Sequence, residues 1–246
     1  MNIRAAYRHI THKMGDTLFH PQYFSHSFLK RYMQRKAPDL TGRVADLGCG
    51  QMPYRVYLRH TEYFSLDYPT TVVLDKYVKE PDIYGDLASI PFVTECMDGV
   101  ICIQVLEHVP DPTTVMSEIS RILRPGGILL LSVPFIYPLH DEPYDFFRFT
   151  EHGLTRLVQQ CGMEILELDA QGGFFSLAGE LFNLYCLQKI DNLLKAGGIK
   201  KWLCFIFAAC FLPLAVVNNI FCILLSPLDR DRRFAMNYFI YARKNK

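Results

Sequence analysis

The chain has 246 residues, 50% of them hydrophobic and 13% aromatic, which suits one α/β domain with an attachment or two small domains. Lys and Arg total 26 against 25 Asp and Glu, a net charge of +1, so there is no basic excess of the kind a nucleic-acid partner requires. The 8 cysteines form no CxxC pair and sit mostly in apolar runs, so neither a disulfide framework nor a metal site is expected, and a reducing compartment is. Residues 1–19 carry His, Arg and Asp throughout with no apolar core of signal-peptide length, which points to the cytoplasm.

Residues 22–36 place Phe24, Phe28 and Tyr32 at helical spacing among basic residues, predicting an amphipathic helix ended by Pro38. Residues 43–47 read as a strand running into the turn Asp46-Leu47-Gly48-Cys49-Gly50, and Pro53 sits where a following helix would begin. Residues 63–67 are a second strand ending on Asp67, and 83–84 a third ending at Gly85-Asp86. Residues 99–106 are a fourth, nearly continuous in apolar residues as buried parallel strands are. Residues 112–123 put Val115, Ile119 and Ile122 on one helical face, stopped by Arg124-Pro125-Gly126-Gly127 ahead of a fifth strand at 128–133. Thr150 can cap a helix bearing Leu154, Leu157 and Val158 and ended by Gly162, and 164–168 alternates as a sixth strand. Strands separated by single helices predict a doubly wound, parallel α/β sheet, whose ligands bind outside the carboxyl ends of the strands. Asp46, Asp67 and Asp86 all fall at or near such ends.

The glycine turn has an acid before it and lacks the third glycine of the pyrophosphate-binding pattern. An acid there repels phosphate and suits a ligand with a cationic amino-acid end. Asp67, about twenty residues further on, is spaced to chelate ribose hydroxyls. A nucleoside without phosphates is therefore favoured over NAD, although an ordinary tight turn would also explain the glycines.

Over roughly residues 20–170 the sequence resembles the class I S-adenosylmethionine-dependent methyltransferases, in the branch whose first motif reads DLGCG. Asp46 to Gly50 carry that motif, and Asp67 matches the acid ending strand two. Gly85-Asp86-Leu87-Ala88 with Pro91-Phe92 match the third landmark, and Asp98-Gly99-Val100 through Leu106-Glu107-His108-Val109 match the fourth. Glu118, Arg121, Pro125-Gly126-Gly127 and Pro134 match the fifth. The resemblance implies a seven-stranded, mostly parallel Rossmann-like sheet and S-adenosyl-L-methionine as cofactor. Asp46, Gly48 and Gly50 would border its methionine and ribose, and Asp67 would hold the ribose hydroxyls. Asp86 and Leu87 would meet the adenine, and Gln104 and Val105 would line the methionine end. His108 either joins them or only shapes the turn. One departure is Met52, where the family often has a second glycine.

Methyl transfer needs alignment of acceptor, methyl and sulfur, and a general base helps when the acceptor is a hydroxyl. The segment 140–150, dense in titratable and aromatic side chains, should lie over the carboxyl end of the sheet. His140 is the preferred base, with Asp145 and Arg148 as acceptor-contacting or loop-fixing partners. An Asp145–Arg148 pair that only staples the loop is the structural alternative. The spacing of His9, His12, His20 and His26 supports no metal site, and surface exposure explains them best.

Residues 202–225 carry no formal charge and are long enough to be a membrane-span candidate, yet Pro213, Asn218 and Asn219 near the middle argue against a simple lipid-facing span. Residues 234–244 look like the family's seventh strand, which pairs antiparallel in the same sheet. The apolar segment must then return to the side it left, with 174–190 as its other arm. The expected organisation is an N-terminal helical lid at 1–40, a cofactor domain at 41–172 plus 233–246, and an apolar helical insert at 173–232. The insert either contacts the cytoplasmic face of a membrane, with Lys200, Lys201 and the 230–233 arginines beside it, or forms a homodimer interface or soluble cap. The expected activity is methylation of a small or lipid-linked acceptor, at oxygen, with a non-catalytic cofactor-binding scaffold as the alternative.

Overall fold

The computed structural model describes residues 17–69, 80–196, 200–229 and 231–246, so His9 and His12 lie outside the described residues. Its seven strands are β1 (Gly42–Leu47), β2 (Thr61–Asp67), β3 (Ile83–Tyr84), β4 (Met97–Ile103), β5 (Leu123–Pro134), β6 (Met163–Gln171) and β7 (Asn237–Lys244). The helices are α1 (Tyr23–Lys36), α2 (Pro112–Ile122), α3 (Glu151–Gln160), α4 (Phe174–Ala196) and α5 (Lys200–Leu225). Two compact units divide the chain. One comprises Tyr32–Phe135, Leu139–Ala170 and Asn237–Lys246, and the other Met1–Arg31, Ile136–Pro138 and Gln171–Met236.

The sheet has the order β3-β2-β1-β4-β5-β7-β6, with β3, β2, β1, β4 and β5 mutually parallel and β7 antiparallel to β5. That is the seven-stranded, doubly wound α/β sheet expected from the sequence. Strand order reverses beside β1, whose neighbours are β2 and β4, and a crevice opens at the carboxyl ends of such strands. Fully buried Val44, Ala45, Leu66, Val100, Ile101, Leu129 and Leu130 build the sheet's interior. In the unit that holds the sheet, α2 and α3 each have a capped start and a buried apolar face. Asp111 caps α2 through the Thr113 and Thr114 amides, with Pro112 at its first position, and Val115, Met116, Ile119 and Ile122 are buried. Thr150 caps α3 through the Gly153 amide at 3.1 Å, and Leu154, Leu157 and Val158 face inward as expected.

Three expectations are corrected. Pro53 starts no α-helix: one 3-10 turn, Arg55–Tyr57, intervenes before β2 begins at Thr61, too short a span for an α-helix that pays its nucleation cost. The fourth strand stops at Ile103, because Gln104 takes a φ of 56° and turns the chain, so that Leu106 falls in a 3-10 turn, Leu106–His108. His20 is buried, not on the surface, with its pKa lowered to about 4 by burial and by His26 beside it.

In the other unit, α4 and α5 pack as a hairpin so close that a Cβ on Gly179 would stand 2.6 Å from Cys222 Sγ. The asparagines that interrupt the apolar run explain themselves here. Asn218 Nδ2 donates to Asn183 Oδ1 (2.9 Å) and Gly179 O (2.8 Å), while Asn183 Nδ2 donates to Asn219 Oδ1 (3.0 Å). Asn219 Nδ2 reaches the Leu18 and His20 carbonyls at 2.9 and 3.1 Å. Buried polar groups are thereby satisfied on one side of α5. Phe207, Leu212, Leu214, Val217, Ile220, Phe221 and Leu224 are exposed on the rest of it.

Candidate active site at the carboxyl ends of the strands

The turn after β1 is held by β2: Gly48 N and Cys49 N both donate to Leu66 O, at 2.8 and 3.2 Å. Gly48 (φ 68°) and Gly50 (φ 51°) take left-handed conformations that strain a side chain. Gly48 also has no room for one, since a Cβ would lie 2.4 Å from Val105 Cγ2. Met52 adopts φ 55° as well, so the residue standing where the family often has glycine keeps the glycine's backbone conformation, with its side chain buried.

Two acids flank this turn. Asp46 is buried, its Oδ2 accepts from Tyr63 OH at 2.5 Å, and burial raises its pKa to about 7 against the lowering effect of that bond. Asp67 accepts from Gly50 N (Oδ2, 2.8 Å) and Tyr68 N (Oδ1, 2.8 Å), and burial raises its pKa too. The charge of Asp67 also disfavours ionisation of Asp46, an effect that a cation would relieve. Tyr63 was missed in the sequence, because its role depends on β2 lying parallel to β1 in this register.

Asp86 is exposed and caps the 3-10 turn Leu87–Ser89 by accepting from Ala88 N at 2.8 Å, while Leu87 is buried. Gln104 is fixed twice by Ser132: its amide donates to Ser132 O (2.9 Å) and its Nε2 to Ser132 Oγ (2.7 Å). The Glu118 and Arg121 landmark is a clamp. Arg121 donates to Ile90 O and Phe92 O and pairs with Glu118, which accepts from Ile90 N, fixing the loop after Asp86.

The segment after β5 folds onto the end of β4, with Phe146 N donating to Glu107 O at 2.8 Å. Asp145 takes both terminal nitrogens of Arg148 at 2.6 Å and accepts from His140 N at 3.0 Å. The Arg148 bonds hold its pKa down at about 2. His140 Nδ1 lies 3.2 Å from Asp145 Oδ2, and the ring meets that of His108 edge-on with centroids 4.8 Å apart. His108 Nδ1 sits 2.7 Å from Tyr144 O. The three residues singled out for chemistry, His140, Asp145 and Arg148, therefore do meet, and His108 joins them. Glu107, not foreseen, lies beside them wholly buried, with both carboxylate oxygens lacking a hydrogen-bond partner and a pKa raised by burial to about 8.

Residues 45–131 match the model of a methyltransferase domain. The domain is a class I S-adenosylmethionine-dependent methyltransferase domain. It is similar to a probable S-adenosylmethionine-dependent methyltransferase of Mycolicibacterium smegmatis, 32% identical over 144 residues, 54% of this chain and 56% of that protein. A ubiquinone biosynthesis O-methyltransferase of Actinobacillus pleuropneumoniae is 27% identical over 46% of this chain and 55% of its own. The chain thus spans little more than half the length of these curated relatives. A crystal structure of a putative methyltransferase from Bacillus halodurans shares the fold, with TM-score 0.55 and 17% identity over 89% of this chain and 100% of that one. The methyltransferase domain's residues fit S-adenosylmethionine: a turn with no room for a side chain at Gly48, and two buried acids that favour a ligand carrying positive charge.

Proposed function

We infer that this chain transfers a methyl group from S-adenosylmethionine to an oxygen of a small or lipid-linked acceptor. The observation that carries this is the pair Asp46 and Asp67 at the switch point of the sheet, buried on either side of a glycine turn in a methyltransferase domain. When bound, the cofactor supplies a methyl group already activated on a sulfonium. Asp46, Gly48 and Gly50 border its amino-acid and ribose portions, Asp67 the ribose hydroxyls, Asp86 and Leu87 the adenine, and Gln104, Val105 and His108 the methionine end. His140 handles the proton of an acceptor hydroxyl, with Asp145 orienting the imidazole and Arg148 holding Asp145. The O-methyltransferase among the relatives supports oxygen as the acceptor atom.

A lipid-linked acceptor is favoured by the exposed apolar side of α5, where the segment Cys210–Leu228 has mean hydropathy 2.0 and is 22% buried. Arg232 and Arg233 follow it, and basic flanks suit the anionic cytoplasmic face of a membrane. A homodimer through the same helix is the competing occupant, and sedimentation with anionic vesicles against size in solution separates the two. Met52 motivates the other reading, a cofactor-binding scaffold without turnover. Incubation with S-adenosylmethionine and a cell extract tests the enzyme directly. Released S-adenosylhomocysteine that is lost in His140→Ala supports it, and cofactor binding without any release supports the scaffold.

A further inference from the structure

We propose that Glu107, His108 and His140 form a binding site for a divalent transition-metal cation, of which Zn2+ is the best fit. One potential ligand atom from each lies within 4.8 Å of the others. Two imidazoles and a carboxylate are the donor set of three-ligand zinc sites that keep a position open for a further oxygen. The same imidazoles disfavour Mg2+, which takes oxygen ligands in a strict octahedron.

Glu107 supplies the first independent argument. It follows β4 through the bend at Gln104, has no exposed surface, and offers two carboxylate oxygens that no hydrogen bond satisfies. Its Oε1 lies 3.8 Å from His108 Nε2. Buried carboxylates are paired, protonated or bound to metal. The charge of Arg148 favours the ionised form of Glu107, but the terminal nitrogens of that guanidinium are bound to Asp145.

The backing of the two rings supplies the second. His108 Nδ1 is 2.7 Å from the Tyr144 carbonyl, and His140 Nδ1 is 3.2 Å from the Asp145 carboxylate. Metal-bound histidines characteristically have one ring nitrogen held by a carbonyl or carboxylate while the other faces the cation. Arg148 stands 3.4 Å from the same nitrogen of His140, its charge met by Asp145. Metal bonds of about 2.1 Å require the two rings to close inward from their present separation. Both retain partial exposure, so a cation and an acceptor can reach them.

The inference rests on the reading of this cluster as the acceptor end of a methyltransferase site. It refines that reading: a cation here acidifies a coordinated hydroxyl, the proton leaving to solvent, so His140 acts on the proton through the metal.

The test is a titration of the EDTA-treated full chain with Co2+, followed by visible absorption. The expected result is a single equivalent with ligand-field bands, no thiolate charge-transfer band from the cysteines, displacement by Zn2+ and none by Mg2+. Glu107→Gln and His140→Ala should abolish it, and Asp145→Asn should weaken it about 10- to 100-fold. S-adenosylhomocysteine binding by Glu107→Gln shows that this variant is folded. Absence of cobalt bands in the wild type, bands of thiolate origin, or unchanged binding in folded Glu107→Gln would overturn the site. Cobalt binding with no affinity for S-adenosylhomocysteine in the wild type would instead overturn the methyltransferase reading and leave the metal site standing.

Discussion

Val105 closes over Gly48, so that a single methyl group on residue 48 would meet its Cγ2 at 2.4 Å. Gly48→Ala also forces a side chain to φ 68°, a conformation that costs roughly 1–2 kcal/mol. The turn should shift and S-adenosylhomocysteine affinity fall by at least about tenfold, about 1.4 kcal/mol. Calorimetry reads this, and Val105→Ala in the same chain should recover part of the loss. Wild-type affinity in Gly48→Ala alone would show that the turn does not form the cofactor site.

Asp46 should link cofactor binding and stability to pH in opposite directions. Its folded pKa of about 7 lies above its ordinary value, so between these limits the folded chain holds a proton that the unfolded chain has released. Apo stability attributable to Asp46 is therefore greatest at low pH, declines as pH rises toward 7, and is level above. A cationic ligand favours the ionised form, so affinity should rise across the same interval. Asp46→Asn should raise the apo melting temperature at pH 8 and lower affinity by about tenfold or more, about 1.4 kcal/mol. A stabilised variant that binds normally would remove Asp46 from the site.

Met52 combines a buried side chain with left-handed backbone. Met52→Ala loses the packing and keeps the strain, whereas Met52→Gly loses the packing and relieves the strain. Both should be less stable than wild type, with the glycine variant ahead of the alanine variant by about 1 kcal/mol in chemical denaturation. The reverse order would mean that the backbone here is relaxed.

Asn183 and Asn219 join α4 to α5 in a buried network. Removing either amide strands its partners, and each Ala variant should lose about 1–3 kcal/mol. Because they share a hydrogen bond, the double variant should lose less than the sum, with a coupling of about 0.5–3 kcal/mol. Additive losses would contradict the bond.

The strand ends were legible because the carriers of the pattern are local: a glycine turn after an apolar run, an acid closing the next strand, and caps such as Thr150. The resemblance to the methyltransferase family implied an antiparallel last strand, as β7 is. What depends on partners distant in sequence was not legible. Glu107 reads as one more residue of a turn, and only the fold shows that its carboxylate is buried without a partner beside His108 and His140. Tyr63 becomes a partner of Asp46 only through strand register. The asparagines of α5 looked like interruptions of an apolar run until α4 supplied their bonds.

The most direct test of the account is a calorimetric competition between S-adenosylmethionine and NAD on the full chain, repeated with Asp67→Ala. Saturable binding of S-adenosylmethionine, none of NAD, and a loss of at least about tenfold, about 1.4 kcal/mol, in Asp67→Ala are expected. Binding of NAD in its place, or S-adenosylmethionine affinity unchanged in Asp67→Ala, would contradict it.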